Sequence, residues 1–514
     1  MFAGAAIAAE ITADEQLSPA RFVLQAIEVR QSTVLAQADI EDVAKRWRGQ
    51  LVGGYELLVI ARELTAHYTD KGYAGSGVVL ADQSIGSGVV VFTAREVKVS
   101  QIVMPVAPRW LRQSAIEQLL WPDGSRPLHL PTLQDRIAMS RDSPHLTRID
   151  ADLAVGVPGA AEATLTIAVE EPPPFQVWLA AANNRSPSIG AVRREVGVSH
   201  RSLLGWGDAF EYRAGRTEGL DDSHWSYAFP LPRTGLTLQA SRSRADSRAI
   251  EPRVFRDLDI VALSNSDSLG VTYNAYRSPT QSITAGFSAD HRVSSTSLLG
   301  IPFSFTLGLP DGESEVAAKR LSLEYVFRDA NQNASVRLIG TRGSVSPTID
   351  PDIAGAVNPR FRLFQFGATY VRRFAPIAWE LRVRVDGQYT RETLAPIERL
   401  SFGGSNSVRG YRENLFVRDR GVILRTEVVA RTYEMGNWLR VTPGVFADAG
   451  WGREAHMRDA AANSIASAGV SVETHVGKHF RFGVAWARAF DRSFANGGNL
   501  QDHGVHLNAA ISYP

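Results

Sequence analysis

The chain has no cysteine among its 514 residues. That absence excludes a disulfide framework, thiolate-bound zinc and thiol catalysis. It also suits passage through an oxidising compartment, where a stray thiol is a liability. No apolar run approaches the roughly 18 residues that a membrane-crossing helix requires. Neither charge is in excess, since Lys plus Arg (55) against Asp plus Glu (54) leaves a formal net charge of +1. A wholesale nucleic-acid binder or a polybasic membrane-surface protein is therefore not expected. His67, His145 and His200 are scattered, with no H-E-x-x-H spacing. No G-x-S-x-G elbow is present, and neither Gly205-Trp-Gly-Asp208 nor Leu309-Pro-Asp-Gly312 has phosphate-loop form. Catalytic residues, metal ligands and cofactors are accordingly not expected. A transmembrane β-barrel stays open, because its strands alternate and look only mildly hydrophobic on average. The 43 glycines and 9% aromatic content fit one.

Met1 to Ala9 is a small apolar run in which Ala6-Ile7-Ala8 resembles an A-x-A cleavage site. Without a basic start or a long apolar core it reads as the tail of a secretory signal, spanning 1–17.

From about Ser18 to Glu171 the pattern mixes helix and strand. Phe22 to Arg30 predicts a strand and Ala38 to Arg48 a short helix broken by Gly53 and Gly54. Leu57, Ile60, Ala61, Leu64 and Tyr68 then form one apolar helical stripe. Gly72 stands where a left-handed helix terminus belongs. Strands near Val78 to Leu80 and Val89 to Thr93 complete the unit. The same order recurs: a strand over Val97 to Val103, helices over Pro108 to Leu120 and Leu133 to Met139, and strands over Leu146 to Leu153 and Thr164 to Val169. Glu170-Glu-Pro-Pro-Pro174 reads as a stiff boundary. The expected organisation is a first module at 18–96, a second at 97–173 and a third region at 174–514.

Beyond Pro174 the helical period gives way to alternation, clearest in Trp379-Glu-Leu-Arg-Val-Arg-Val-Asp-Gly-Gln-Tyr389. Trp379, Leu381, Val383, Val385 and Tyr389 share one face of such a strand, and Glu380, Arg382, Arg384, Asp386 and Gln388 the other. Aromatics close the apolar face at both ends, as in barrel girdles. Sixteen such segments start near 176, 189, 207, 222, 235, 268, 281, 317, 333, 360, 377, 421, 437, 464, 478 and 503. Gaps after even strands are short. Those after the fifth, seventh, ninth and eleventh read as about 17 to 28 residues, the asymmetry of an outer-membrane barrel. The fold class is thus mainly β: a sixteen-stranded antiparallel transmembrane barrel preceded by two small α+β modules.

That arrangement resembles the two-partner secretion (TpsB) transporters of haemolysin secretion/activation type, in which such modules are POTRA domains. The most specific likeness is Phe402-Gly-Gly-Ser-Asn-Ser-Val408-Arg409-Gly410-Tyr411, similar to the superfamily's V-R-G-Y loop motif. The resemblance implies that this loop, about 392–420, folds back into the lumen. It further implies that Arg409 meets an aspartate of the thirteenth strand. Alternation there turns Arg440, Phe446 and Asp448 inward and Leu439, Val441, Val445, Ala447 and Trp451 to lipid, which makes Asp448 the candidate partner. Gly410 would allow a tight turn, and Tyr411 would pack beside the pair. Leu203-Leu-Gly-Trp-Gly-Asp208 and Asn183-Asn184 are weaker likenesses. The inward charges, Arg425, Glu427 and Arg431 among them, read as the hydrated lining of a lumen.

The implied function is nucleotide-free export of a large β-helical TpsA exoprotein, bound through its N-terminal secretion domain. The implied location is the cell outer membrane with the modules in the periplasm. Outer-membrane lipid and the barrel-assembly machinery would be its other partners, and nucleic acid would not. A barrel assembly factor is the alternative reading. Within the modules, Gly88 to Thr93 and the stripe from Tyr55 to Tyr68 are a candidate client surface, although most of these apolar residues read as each module's own core, and the client-contacting residues are left unassigned.

Overall fold

The computed structural model describes residues 21–514 except 86, 122–123, 142, 157–160, 252–257, 348–352, 354, 376, 457–462, 492 and 494–497. The segment 1–17 read as a signal remnant lies outside the described residues. The chain divides into two compact units, 1–172 and 173–514.

The first unit holds the repeat. Its opening module runs β1 (Phe22–Val23), β2 (Ala26–Arg30), α1 (Gln37–Trp47), β3 (Leu51–Val52), α2 (Gly54–Asp70), β4 (Gly77–Leu80) and β5 (Val89–Arg95). The second runs β6 (Lys98–Val103), α3 (Gln113–Leu120), α4 (Leu130–Arg141), β7 (Arg148–Val155) and β8 (Glu162–Glu170). The sheets are topologically alike: order β2-β5-β4 and β6-β8-β7, with the first strand parallel to the central one and the third antiparallel. Ile27, Ile60, Leu64, Tyr68 and Phe92 anchor the first core, and Ile116, Leu120, Leu128 and Leu165 the second.

Three readings need correction. The strand expected over 22–30 is two, because β1 leaves the main sheet to pair with β3. Gly54 does not end a helix but starts α2, with Gly53 as its N-cap. Helix α3 begins at Gln113 rather than Pro108, since the amides of Arg109, Trp110 and Leu111 are held by the Glu171 carboxylate instead of helical carbonyls.

Glu96 does in the first module what Glu171 does in the second. It accepts from the amides of Thr33 (2.6 Å) and Val34 (3.1 Å), and from the Thr33 and Tyr68 hydroxyls. Each acid ends the last strand of its module and clasps the loop leading into the first helix. Burial opposes the charge on Glu96, but these hydrogen bonds prevail and hold its carboxyl below the usual range.

The second unit is a closed barrel. Its sixteen strands are Phe175–Ala182, Arg193–His200, Ala209–Arg216, Leu220–Pro230, Leu236–Arg248, Val261–Arg277, Gln281–Leu298, Glu313–Arg328, Gln332–Ser346, Arg360–Phe374, Trp379–Tyr389, Arg420–Val429, Leu439–Arg453, Asn463–Val476, Phe480–Ala489 and Val505–Tyr513. They are called strands 1 to 16 below, and each starts within seven residues of its predicted position. Strand 16 pairs antiparallel with strand 1, from Asn508 opposite Ala182 to Tyr513 opposite Val177. Closure is obligatory in lipid, where an unpaired edge would strand its backbone polar groups. Along strand 13, Val445, Ala447, Ala449 and Trp451 are exposed while Phe446, Asp448, Gly450 and Gly452 are buried.

The loops are shorter than predicted. Connections 249–260, 299–312 and 347–359 run 12 to 14 residues and 490–504 runs 15, whereas 390–419 is twice as long, at 30. Strands 6 to 8 account for the difference. At 16 to 18 residues they outrun the roughly 9–11 that a bilayer needs and rise above it.

Candidate functional site

The connection after strand 11 enters the lumen and is fastened at several places. Its ends are brought together by a short antiparallel pair, Leu400–Phe402 with Phe416–Arg418. Phe402, Val408 and Tyr411 are buried with Ile423 and Ile465 in one apolar knot, and Leu394 and Ala395 are buried with Val316, Phe361 and Leu363 in a second. Glycine permits this packing. Gly450 and Gly452 leave the room that the Phe402 ring fills, with ideal Cβ atoms at only 2.9 and 2.7 Å from it. Gly410 has φ +91°, and a Cβ there would stand 2.8 Å from the Ala487 methyl.

The tip carries the charge pair. Arg409 donates from Nε to Asp448 Oδ2 (2.7 Å) and from Nη2 to Oδ1 (2.9 Å), a two-point grip, and its amide adds a third bond at 3.1 Å. Its guanidinium lies over the Phe446 ring, 3.4 Å from the centroid. Arg409 is 5% exposed and Asp448 2%, so water screens the pair little. Glu427 completes it, accepting from Arg409 Nη1 at 3.3 Å and from the Ser471 hydroxyl. Read from sequence as lumen lining, Glu427 is a partner of the loop arginine. Val408 sits in the apolar knot, and the Tyr411 hydroxyl donates to the Ala466 carbonyl (2.9 Å).

Further fastenings were not apparent from the sequence. Glu398, at the start of the loop, is buried between Arg292 of strand 7 (3.0 Å) and Arg320 of strand 8 (2.7 Å). Past the tip, the Gly410 amide donates to His506 Nε2 (3.0 Å), Arg412 forks onto Asp502, and the Glu413 amide donates to Gln501 Oε1 (2.9 Å). Gln501 in turn donates to the carbonyls of Asn183 and Arg185, both at 2.8 Å. The Asn183 side chain bonds the Val505 carbonyl and the Leu507 amide across the seam of strands 1 and 16. One loop thus touches strands 7 and 8, strand 13 and the closing seam.

Asp208, from the Leu203–Asp208 motif, is fully buried and accepts from the Leu204 and Trp206 amides and the Tyr227 hydroxyl. It shapes the turn into strand 3. Asp419, Glu454 and His456 bring one ligand atom each within 4.8 Å of one another. Arg399 and Arg418 already balance both carboxylates, so the group reads as an ion-paired tie between loop 390–419 and the end of strand 13. Beneath the loop tip lies a polar cavity of about 340 Å³ edged by Arg382, Arg409, Arg425, Glu427, Glu473 and Arg481.

A closed sixteen-stranded barrel with a loop strapped inside it, behind two β-α-α-β-β modules, defines an outer-membrane transporter. Comparison then gives the family. The profile for haemolysin secretion/activation protein ShlB/FhaC/HecB matches residues 162–475, and that for the ShlB-type POTRA domain matches 22–96. The chain belongs to the haemolysin secretion/activation family, the transporters of two-partner secretion, which sit in the outer membrane with POTRA modules in the periplasm. The outer membrane transporter CdiB of Dickeya dadantii (strain 3937) is 21% identical over 445 residues, 84% of this chain and 76% of that one. CdiB of Escherichia coli is 21% identical over 449 residues, 84% and 72% of the two chains. The solved structure of CdiB from Escherichia coli superposes with a TM-score of 0.72 at 17% identity, covering 99% and 93%. BamA from Haemophilus ducreyi lacking POTRA domains 1-3 shares the fold more distantly, with a TM-score of 0.53 at 12% identity over 96% and 100%.

Proposed function

We propose that this barrel exports one large TpsA-type exoprotein, unfolded, from periplasm to cell surface. Folding outside and blocked return would drive it in place of nucleotide. The observation that carries the reading is the strapped lumenal loop behind two client-facing modules, an arrangement that a passive pore does not need. Module boundaries at 18–96 and 97–173, with the barrel at 174–514 and its inward loop at about 392–420, follow from it. Arg409 and Asp448 act as a latch that keeps the loop in one register, with Val408, Gly410 and Tyr411 seating the tip.

The client-binding strand shifts from the one first read. Val89–Arg95 is central in its sheet and has no free edge, whereas Gly77–Leu80 lies at an edge with Val79 and Leu80 exposed. An extended client segment would add there by main-chain hydrogen bonding. The apolar stripe of α2 belongs to the module core, since Leu57, Ile60, Leu64 and Tyr68 are buried. The deciding experiment deletes the gene and compares surface and medium proteins. Loss of one large secreted protein with other barrels unchanged supports the proposal, and a broad fall in many barrels overturns it in favour of an assembly factor.

A further inference from the structure

The outer wall of the barrel carries a row of cations that the transport reading leaves unused. Strand register places Lys319 opposite Arg342 and Arg342 opposite Arg362, all on the outward face. Phe364 faces Tyr389, so the same row continues into Arg391, just past the end of strand 11. Like charges directly opposite one another weaken a sheet, and this wall sets three in register with a fourth beside them. Among the described residues, Lys319, Arg342 and Arg362 form no ion pair. Arg391 shares one N–H with the Tyr389 hydroxyl at 3.4 Å. Two acids near the row are engaged elsewhere: Glu392 accepts from the Thr390 hydroxyl and the Arg391 amide, and Glu315 pairs with His291.

The row directly below is apolar. Leu321, Phe364 and Tyr389 are 66%, 62% and 52% exposed to the surroundings of the wall. Gly340 stands in register between Leu321 and Phe364, and a Cβ there would meet only the Phe364 ring edge, at 3.9 Å. The missing side chain leaves a hollow, part of a groove of about 670 Å³ bounded by both rows. The cations lie toward the side of loop 390–419, which in outer-membrane barrels faces the outside.

We propose that this groove binds a phosphorylated glycolipid of the outer leaflet, its phosphates on the row Lys319, Arg342, Arg362 and Arg391 and an acyl chain in the hollow over Gly340. Charge and shape agree on the occupant. Several unbalanced cations one row above an apolar groove match a headgroup bearing more than one phosphate above its own hydrocarbon. A singly charged phospholipid would satisfy a single member of the row.

The test uses the full chain in neutral phosphatidylcholine nanodiscs, titrated with bisphosphorylated lipid A, monophosphorylated lipid A and phosphatidylglycerol. Wild type is expected to bind bisphosphorylated lipid A saturably, at least tenfold more tightly than phosphatidylglycerol, with the monophosphorylated form between them. The quadruple variant K319Q/R342Q/R362Q/R391Q should lose at least tenfold in affinity, while R372Q, at the other end of strand 10, should lose none. Unchanged binding by the quadruple variant would overturn the proposal, as would equal binding of phosphatidylglycerol. Heat-modifiable migration reports insertion. Should the quadruple variant fail that check, Arg342→Gln alone decides: a threefold or greater loss supports the site, and wild-type affinity refutes it.

Discussion

Replacing Arg409 by alanine should release the lumenal loop, and the structure sets the scale. The change removes two of the three hydrogen bonds to a carboxylate that is almost fully buried. Breaking a buried pair from one side typically costs about 3–5 kcal/mol, most of it from the charge left alone. The low end applies, because Arg425 stands in register with Asp448 and its buried Nε has no partner. It can swing toward the orphaned carboxylate. About 3 kcal/mol corresponds to roughly a hundredfold shift between docked and released loop. With no native cysteine to interfere, Ser407→Cys gives a clean reporter, since Ser407 is buried two residues from the pair. Its labelling by a membrane-impermeant maleimide should rise about a hundredfold in the Arg409→Ala background and by less in Arg409→Lys, which keeps the charge but not the fork. Adding Asp448→Asn should contribute little more, as overlapping losses mark a direct pair. A labelling rate within threefold of the parent, in a barrel that still shows heat-modifiable migration, would refute the latch.

Glu398→Gln leaves Arg292 and Arg320 sharing a neutral amide. The same Ser407→Cys reporter should quicken by roughly tenfold, for a loss of about 1–3 kcal/mol. Gly410→Ala forces a methyl against Ala487 at a positive φ, and export measured by immunoblot of the secreted client should fall severalfold while barrel yield holds. Glu96→Gln should destabilise the first module by roughly 1–3 kcal/mol at neutral pH in urea unfolding. The folded pKa of Glu96 lies below its ordinary value of 4.5, so its stabilisation is present above that value and is lost as pH falls through the folded pKa. Wild type and variant should therefore converge in acid, and a gap that persisted at low pH would refute the assignment.

Much of the fold could be read in the chain because alternation is a local property. The face of Asp448 followed from counting along strand 13. What escaped depended on register and on loop path, which no local period encodes. Lys319, Arg342 and Arg362 are far apart in sequence and become neighbours only through the strand offsets that the turns set. Glu398, Asp502 and His506 meet their partners because the loop crosses the bore. Leu111 looked helical since it supplies core from an irregular segment, and only the distant Glu171 shows why that segment needs no helix. The overlong gap estimates have a related cause. At the start of strand 8 the pattern inverts, with Glu313 and Glu315 exposed outside and Val316 and Ala318 buried inside, so the lipid-facing alternation that marked the strand is lost while the backbone pairing continues.

The loop attached to strands 7 and 8, to strand 13 and to the seam has a mechanical consequence. A hollow cylinder is soft toward flattening, whereas one tied across its diameter is stiff, so the tie sets the cross-section of the resting bore. Dilation and untying are then a single event. An arriving chain that loosens any one anchor lowers the tension holding the others, and the wall gains its full compliance at once. Under the latch proposed above, a transporter built this way would stay narrow to small solutes and yield to a polypeptide that pulls on the strap.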